Sequence, residues 1–133
     1  MLTLFILPSG KENVFPEKTI KSLHGLVKRV KFVKSIDDIN LYGKGTEWYG
    51  VFYDNEYIDT DLYLGIMMVF KDTKADFFVL CKRHIEINRG NSFTKCPRLF
   101  RKHVLLQENT LLPKQPGLRA GLVADGLVMS YDN

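Results

Sequence analysis

Apolar runs in the first half of the chain alternate with polar segments in a way that predicts strands and helices in turn. Leu2 to Leu7 is a short apolar run and is followed by Pro8-Ser9-Gly10, which predicts a buried strand and a turn. Behind it, apolar residues recur at helical spacing after a proline suited to the first helical position, so we expect a helix over Pro16 to Leu26. Val30 to Val33 and Trp48 to Tyr53 are β-branched and aromatic, and predict two further strands.

The second half of the chain continues this alternation and then breaks into shorter pieces. Leu62 to Phe70 is apolar nearly all round behind polar capping residues, which predicts a buried helix over Asp61 to Lys71. Asp76 to Lys82 predicts a strong strand, and His84 to Ile87 predicts either a second, partly exposed strand or its continuation, followed by a loop over Arg89 to Ser92. From Cys96 onward, short apolar pieces lie between prolines and glycines. The order of elements predicts a single α/β domain, with flanking helices and a mainly parallel sheet of about five or six strands.

Length and composition fit this picture and narrow the class of protein. A chain of 133 residues with 45% hydrophobic and 26% charged residues is typical of one globular domain and argues against disorder. The apolar start is too short for a signal peptide, and no apolar run approaches the ~18 residues of a membrane span, so we expect a soluble, cytoplasmic protein. Cys81 and Cys96 are expected to be free thiols there, although one bridge between them stays open.

The net charge of +4 hides a segregation of charge into blocks. Residues 1–35 carry seven Lys/Arg and two acids, residues 36–76 carry three and nine, and residues 77–103 carry seven and one. Two basic blocks around an acidic one favour an anionic ligand such as a phosphate, with the acids placed to hold a metal or transfer protons. The alternative is that most of these charges are ordinary solvated surface residues.

Asp54-Asn55-Glu56 is the strongest candidate for chemistry. The two acids follow directly after the predicted strand Trp48 to Tyr53, and open α/β sheets bind ligands at the carboxyl ends of their strands. Two carboxylates there suit Mg²⁺ or Mn²⁺ bridging to phosphates of a ligand. The alternative is a polar turn without a ligand.

The context of this acidic motif carries a resemblance to a known family. Pro8-Ser9-Gly10 precedes Thr19-Ile20-Lys21-Ser22-Leu23, and the stretch from Glu47 to Leu62 runs from a Trp-containing strand through the acidic motif. Later come Cys96-Pro97-Arg98-Leu99-Phe100-Arg101-Lys102 and Asp125-Gly126 between apolar pairs. In this order the segments resemble GT-A glycosyltransferases of the family 2 type.

That resemblance implies a metal-dependent transfer of a sugar from a nucleotide-sugar to an unidentified acceptor. Asp54 and Glu56 would be the metal ligands for Mn²⁺ or Mg²⁺, and Asp125 the catalytic base. The positions implied in nucleotide-sugar binding are Ser9, either Asp37 or Asp38 near the base or ribose, and Arg98, Arg101 and Lys102 near the phosphates.

Departures from the family pattern keep a second function open. The chain before the acidic motif is short for a nucleotide-binding half, and the motif reads Asp-Asn-Glu rather than Asp-x-Asp. The chain is therefore expected to be a reduced-size or incomplete enzyme, or a catalytically silent binding or interaction module that keeps the fold. An oligomer that completes the site is also compatible with the sequence.

Three other kinds of site have weaker support in the sequence than the acidic motif. A basic nucleic-acid-binding surface over Lys28 to Lys34 or Arg89 to Lys102 is disfavoured, because no stacking platform or helix-turn-helix is evident. The spacing of Cys81, His84, Cys96 and His103 is not that of a standard zinc site. A cysteine nucleophile paired with either histidine is disfavoured, because nothing in the sequence orients the pair.

Overall fold

A computed structural model describes residues 2–58, 66, 70, 74–86 and 90–132 of the chain. Two short helices and seven strands are defined there, and the strands form one sheet in the order β2-β1-β3-β6-β5-β7-β4. The helices are α1 (Pro16–Ser22) and α2 (Ile36–Leu41); the strands are β1 (Leu2–Leu7), β2 (Val27–Phe32), β3 (Trp48–Tyr53), β4 (Glu56–Ile58), β5 (Phe77–Glu86), β6 (Gly90–Arg101) and β7 (Ala120–Asp132).

Strand β1 lies inside the sheet and is buried on both faces, which explains why five of its six residues are apolar; the sixth, Thr3, is buried with its hydroxyl 2.7 Å from that of Thr46. Its alternate residues Leu2, Leu4 and Ile6 pack on one face with Leu23, just beyond α1; we call this the α1 face. Phe5 packs with Ile39 of α2 on the opposite side, the α2 face. Because successive strand residues point to opposite faces, one strand serves both halves of the core.

The predicted bounds of β1 and β3 are confirmed, whereas the first helix is shorter than predicted. Helix α1 ends at Ser22 instead of Leu26, and the next strand starts at Val27 instead of Val30. Leu23 caps the helix, and Gly25, with a left-handed φ of 86°, lies in the turn that leads from α1 into β2. The segment after β2, which carries Asp37 and Asp38, forms α2.

The prediction of a mainly parallel sheet was wrong, because the sheet is mixed. β1 pairs with β2 and β3 in parallel, and β5 pairs with β7 in parallel. β6 is antiparallel to both β3 and β5, and β4 is antiparallel to β7. Only three residues separate β5 from β6, which is too short for the crossover that parallel strands need.

Several predictions in the second half change in extent. The two segments expected around Asp76 to Ile87 form one strand, β5, and residues Gly90–Ser92 of the predicted loop belong to β6. Of the predicted helix Asp61 to Lys71, only Ile66 and Phe70 are described; both are helical, and the rest lies outside the described residues. Phe70 stacks on Trp48 at 5.3 Å between ring centroids, on the α1 face.

Two expectations about thiols and membranes can be compared with this fold. Cys81 and Cys96 are both free, so the open alternative of a bridge between them is not realised. In the part of the chain that the structure describes, no helix has the length and apolar character needed to cross a membrane.

Gly121, at the start of β7, provides a test of this packing. A Cβ atom at this position would lie 2.2 Å from the ring of Phe78, which is buried and packs on Trp48. We therefore expect Gly121→Ala to lower the free energy of unfolding by about 1–3 kcal/mol through overpacking, measured by denaturant unfolding. Gly43→Ala is the matched control, because nothing lies within 4 Å of its added Cβ. Equal stability of the two variants would contradict the packing of β7 on β5.

Candidate functional site

The carboxyl ends of β1 and β3 form a topological switch point of the sheet, where successive connections run in opposite directions from β1. From β1 the chain passes through α1 to β2 on one side, and from β2 it passes through α2 to β3 on the other side of β1. Helices α1 and α2 lie on opposite faces. In open α/β sheets, the crevice at such a switch point is where ligands bind.

Asp54 joins these two strand ends. Its Oδ1 accepts a hydrogen bond from the backbone N–H of Ser9 at 3.0 Å, and its own N–H donates to the carbonyl of Leu7 at 2.9 Å. The carbonyl of Asp54 accepts from the N–H of Phe15 at 2.7 Å, just before α1. The side chain is half-buried, and within the described part of the chain its Oδ2 has no hydrogen-bond or ion-pair partner. One carboxylate oxygen is therefore left to meet a ligand.

Asp37 and Asp38 belong to the same edge of the sheet. They lie in the first turn of α2, which follows the carboxyl end of β2. The Oδ1 of Asp37 accepts a hydrogen bond from the N–H of Asn109 at 3.1 Å. The fold thus brings Ser9, Asp54 and this acidic turn to the carboxyl ends of three neighbouring parallel strands.

Glu56 is placed differently from Asp54, although only one residue separates them. Its side chain is fully buried, and both oxygens accept hydrogen bonds from Arg98, Oε1 from Nη1 and Oε2 from Nη2, each at 2.7 Å. Lys82 Nζ lies 2.6 Å from Oε2. The carboxylate is therefore surrounded by two cations in the interior, which we call the buried ion cluster (Glu56, Lys82 and Arg98).

Arg98 reaches this position because of an irregularity in β6. Phe78 pairs with Leu99 and Val79 with Pro97, so Arg98 is an extra residue without a partner on β5. On its other side, β6 pairs with β3 only from Arg101 to Leu99. Beyond that point the two strands part, and the guanidinium of Arg98 enters the gap.

The buried ion cluster replaces the missing strand contacts of β3. Arg98 Nη1 donates to the carbonyl of Val51 at 3.2 Å, and Glu56 Oε1 accepts from the N–H of Tyr53 at 2.7 Å. Both groups belong to the part of β3 that β6 no longer covers. Because unpaired buried backbone groups are costly, the two side chains stabilise the strand that ends at Asp54.

Each of Glu56 and Arg98 favours the ionised form of the other. Burial opposes the charge on Glu56, but the neighbouring charges of Arg98 and Lys82 outweigh it and hold the pKa of the carboxyl below its ordinary value. Burial likewise opposes the charge on Arg98, and Glu56 raises the pKa of the guanidinium above its ordinary value. Arg98 Nε is buried without a hydrogen-bond partner in the described structure.

The two acids of the motif fit a metal ion unequally. Mg²⁺ is commonly held by one or two carboxylates together with substrate phosphates, and Asp54 offers one such oxygen. Glu56 does not fit, because both of its oxygens already face cations. Among the described residues, no group of three or more His, Cys, Asp or Glu side chains is arranged to hold a metal.

Two of the cations predicted to contact phosphates lie elsewhere. Trp48, at the amino end of β3, pairs with Arg101, so Arg101 and Lys102 are at the sheet edge opposite Asp54. There they pair with Glu47, at 3.4 Å and 3.5 Å. We therefore leave Arg101 and Lys102 out of the site. Asp125 lies within β7, and its side chain is outside the described residues.

Lys82 is a site residue that the sequence did not single out. β5 runs in the same direction as β3, since both are antiparallel to β6, so Lys82 lies toward the edge that carries Asp54. Its position in an alternating strand gave no signal of a buried partner. The residues of the zinc alternative have other neighbours: His84 Nε2 lies 3.1 Å from Thr94 Oγ1, and His103 Nε2 lies 3.2 Å from Asp76 Oδ1.

Comparison with known proteins does not assign the chain to a family. No family model matches the chain, and no curated protein matches its sequence.

Glu56→Gln tests whether the buried ion cluster supports the fold. The substitution leaves the buried charge of Arg98 without its carboxylate, so we expect the free energy of unfolding to fall by about 3–5 kcal/mol. Denaturant unfolding measures this loss. Glu47→Gln is the matched control, because Glu47 pairs with Arg101 and Lys102 while half-exposed, and a loss under about 1 kcal/mol is expected there. A similarly small loss for Glu56→Gln would contradict the structural role.

The lowered pKa of Glu56 predicts a dependence of stability on acid. A carboxyl whose folded pKa lies below its unfolded value stabilises the fold above that unfolded value, 4.5 for Glu56, and this contribution is lost as pH falls through the folded pKa. We expect the fall in unfolding free energy below pH 4.5 to be shallower in Glu56→Gln than in the parent protein. Parallel acid limbs in the two proteins would contradict a coupled, ionised Glu56.

Proposed function

We propose that the chain is a GT-A-like domain that binds a nucleotide-sugar at the carboxyl ends of β1 and β3 and transfers its sugar to an acceptor. The observation that carries this proposal is the switch point itself, where Asp54 Oδ1 accepts from the N–H of Ser9 and Oδ2 has no partner among the residues that the structure describes. The order of the first three strands, with helices on both faces, supports a ligand crevice at this place. The resemblance of Pro8-Ser9-Gly10 and Asp54-Asn55-Glu56 to the family 2 type supports a nucleotide-sugar as the ligand.

Within this proposal, Asp54 is the protein's ligand for Mg²⁺ or Mn²⁺. When bound, such an ion supplies positive charge next to the diphosphate of the donor. Ser9 and the turn after β1 position the ligand against the strand ends. Asp37 and Asp38, at the carboxyl end of β2, are the acids available to hydroxyls of the ribose.

Glu56 and Arg98 are assigned a positioning role rather than contact with the ligand. Both side chains are buried, and they fix the last residues of β3 through Val51 and Tyr53. The residue that follows Tyr53 is Asp54. The buried ion cluster therefore sets the position of the Asp54 carboxylate, the proposed metal ligand.

A second candidate function is a silent binding module of the same fold. The observation that favours it is the commitment of Glu56, the second acid of the motif, to two cations. A module of this kind would bind a nucleotide or a partner without sugar transfer. It differs from the enzyme in one measurable respect, which is the release of nucleoside diphosphate.

Asp54→Asn tests the proposed site without removing the link between β1 and β3. The amide oxygen of Asn can still accept from the N–H of Ser9, whereas the negative charge offered to the metal is lost. With UDP-glucose or GDP-mannose and Mn²⁺, we expect the parent protein to melt at a higher temperature and Asp54→Asn to show no such rise. Differential scanning fluorimetry measures both.

Glu47→Gln is the matched control for this experiment, because it removes a carboxylate at the opposite edge of the sheet. It should keep the full rise in melting temperature. Release of nucleoside diphosphate by the parent protein then separates the enzyme from the silent module. No rise with any nucleotide-sugar tested, with or without Mn²⁺, would overturn the proposal.

A further inference from the structure

Strand β2 is an edge of the sheet with an unusual combination of side chains. It pairs with β1 alone, and five of its six residues are exposed. Phe32 is 63% exposed and Val30 is 37% exposed, while Lys28, Arg29 and Lys31 supply positive charge. None of these three cations forms an ion pair with an acid in the described part of the chain.

The backbone of β2 offers hydrogen-bonding groups on its free side. The N–H of Val33 donates to the carbonyl of Ile6, so the residues two and four before it, Lys31 and Arg29, also turn their backbone toward β1. By alternation along a parallel strand, the N–H and carbonyl groups of Val30 and Phe32 point away from the sheet. These groups can receive another strand.

The side chains of β2 divide between the two faces of the sheet. Val33 packs in the core of the α2 face, which places Arg29 and Lys31 on that face. Lys31 is held there by Tyr42, with Nζ 3.4 Å from the ring centroid. Val30 and Phe32 lie on the α1 face. An added strand would thus meet positive charge on one face and apolar surface on the other.

The charges of β2 decide which strand can be added. A second copy of the chain would bring Lys28, Arg29 and Lys31 against the same cations, and like charges opposite one another are destabilising. Lysines on an edge strand commonly prevent it from pairing with another chain. Val30 and Phe32 are exposed apolar side chains, and they would not be needed for that protection. The occupant should therefore be acidic on one face and apolar on the other.

We propose that β2 is a docking edge for an extended acidic peptide, which pairs with Val30 and Phe32 as an eighth strand of the sheet. Its acidic residues face Arg29 and Lys31, and its alternate apolar residues cover Val30 and Phe32. Main-chain hydrogen bonds give affinity in this mode, and the alternating side chains give selectivity. The edge is separate from Asp54, so the proposal does not depend on the proposed nucleotide site.

The test uses a fluorescent peptide of alternating Glu and Val, with fluorescence anisotropy as the readout. The control peptide has the same composition in two blocks, and we expect it to bind more weakly. Val30→Pro removes only an N–H that points away from β1, so the fold should tolerate it while peptide affinity falls about tenfold. Val30→Thr is the matched control, since it keeps the N–H and a β-branched side chain. It should retain most of the affinity.

Two further measurements test the role of the cations and the competing nucleic-acid interpretation. Arg29→Glu with Lys31→Glu should abolish peptide binding, and the melting temperature of each variant reports whether it still folds. Single-stranded oligo-dT is the competing probe. If oligo-dT binds more tightly than the alternating peptide and Val30→Pro binds it as well as the parent does, β2 is a nucleic-acid surface and the peptide proposal fails. Equal binding of the alternating and block peptides would also overturn it.

Discussion

The ion pair between Glu56 and Arg98 is the interaction on which the middle of the sheet depends. β3 and β6 pair over only three residues and then part, and a gap between two central strands would leave backbone groups of β3 without partners. Arg98 and Glu56 fill that gap, bind the carbonyl of Val51 and the N–H of Tyr53, and neutralise each other. The end of β3 therefore stays in place although β6 no longer pairs with it.

This ion pair also gives the two acids of the motif Asp54-Asn55-Glu56 different roles. A carboxylate that pairs with Arg98 and Lys82 and accepts from a backbone N–H cannot at the same time bind a ligand, so Glu56 lies inside and Asp54 lies at the carboxyl ends of β1 and β3. The short turn between β3 and β4 makes the division possible, because Asp54 is the first residue of the turn and Glu56 is the first residue of β4. A ligand at the switch point would then depend on a structural acid as well as on a half-buried one.

The sequence allowed the parts of the fold that depend on local pattern to be predicted, and not those that depend on distant pairing. β1 and β3 have the predicted bounds because strands buried on both faces are dominated by apolar, β-branched and aromatic residues, which the sequence pattern reveals. The placement of Asp54 at a strand end followed from the same pattern. The burial of Glu56 could not be predicted, because its partner is 42 residues away in the chain and reaches it through an irregularity in β6. The antiparallel direction of β6 likewise depends on the short connection before it.

The blocks of charge along the chain have a related explanation. Part of the basic block at residues 77–103 pairs with acids of the block before it: Lys82 and Arg98 pair with Glu56, and Arg101 and Lys102 pair with Glu47 at the other end of β3. For these residues, charges that are segregated in the sequence are paired in the structure. The first basic block differs, since β2 carries its cations at an edge of the sheet where no acid of the described chain pairs with them. Charge that is balanced inside the sheet stabilises the fold, and charge left unbalanced on β2 is available to a partner.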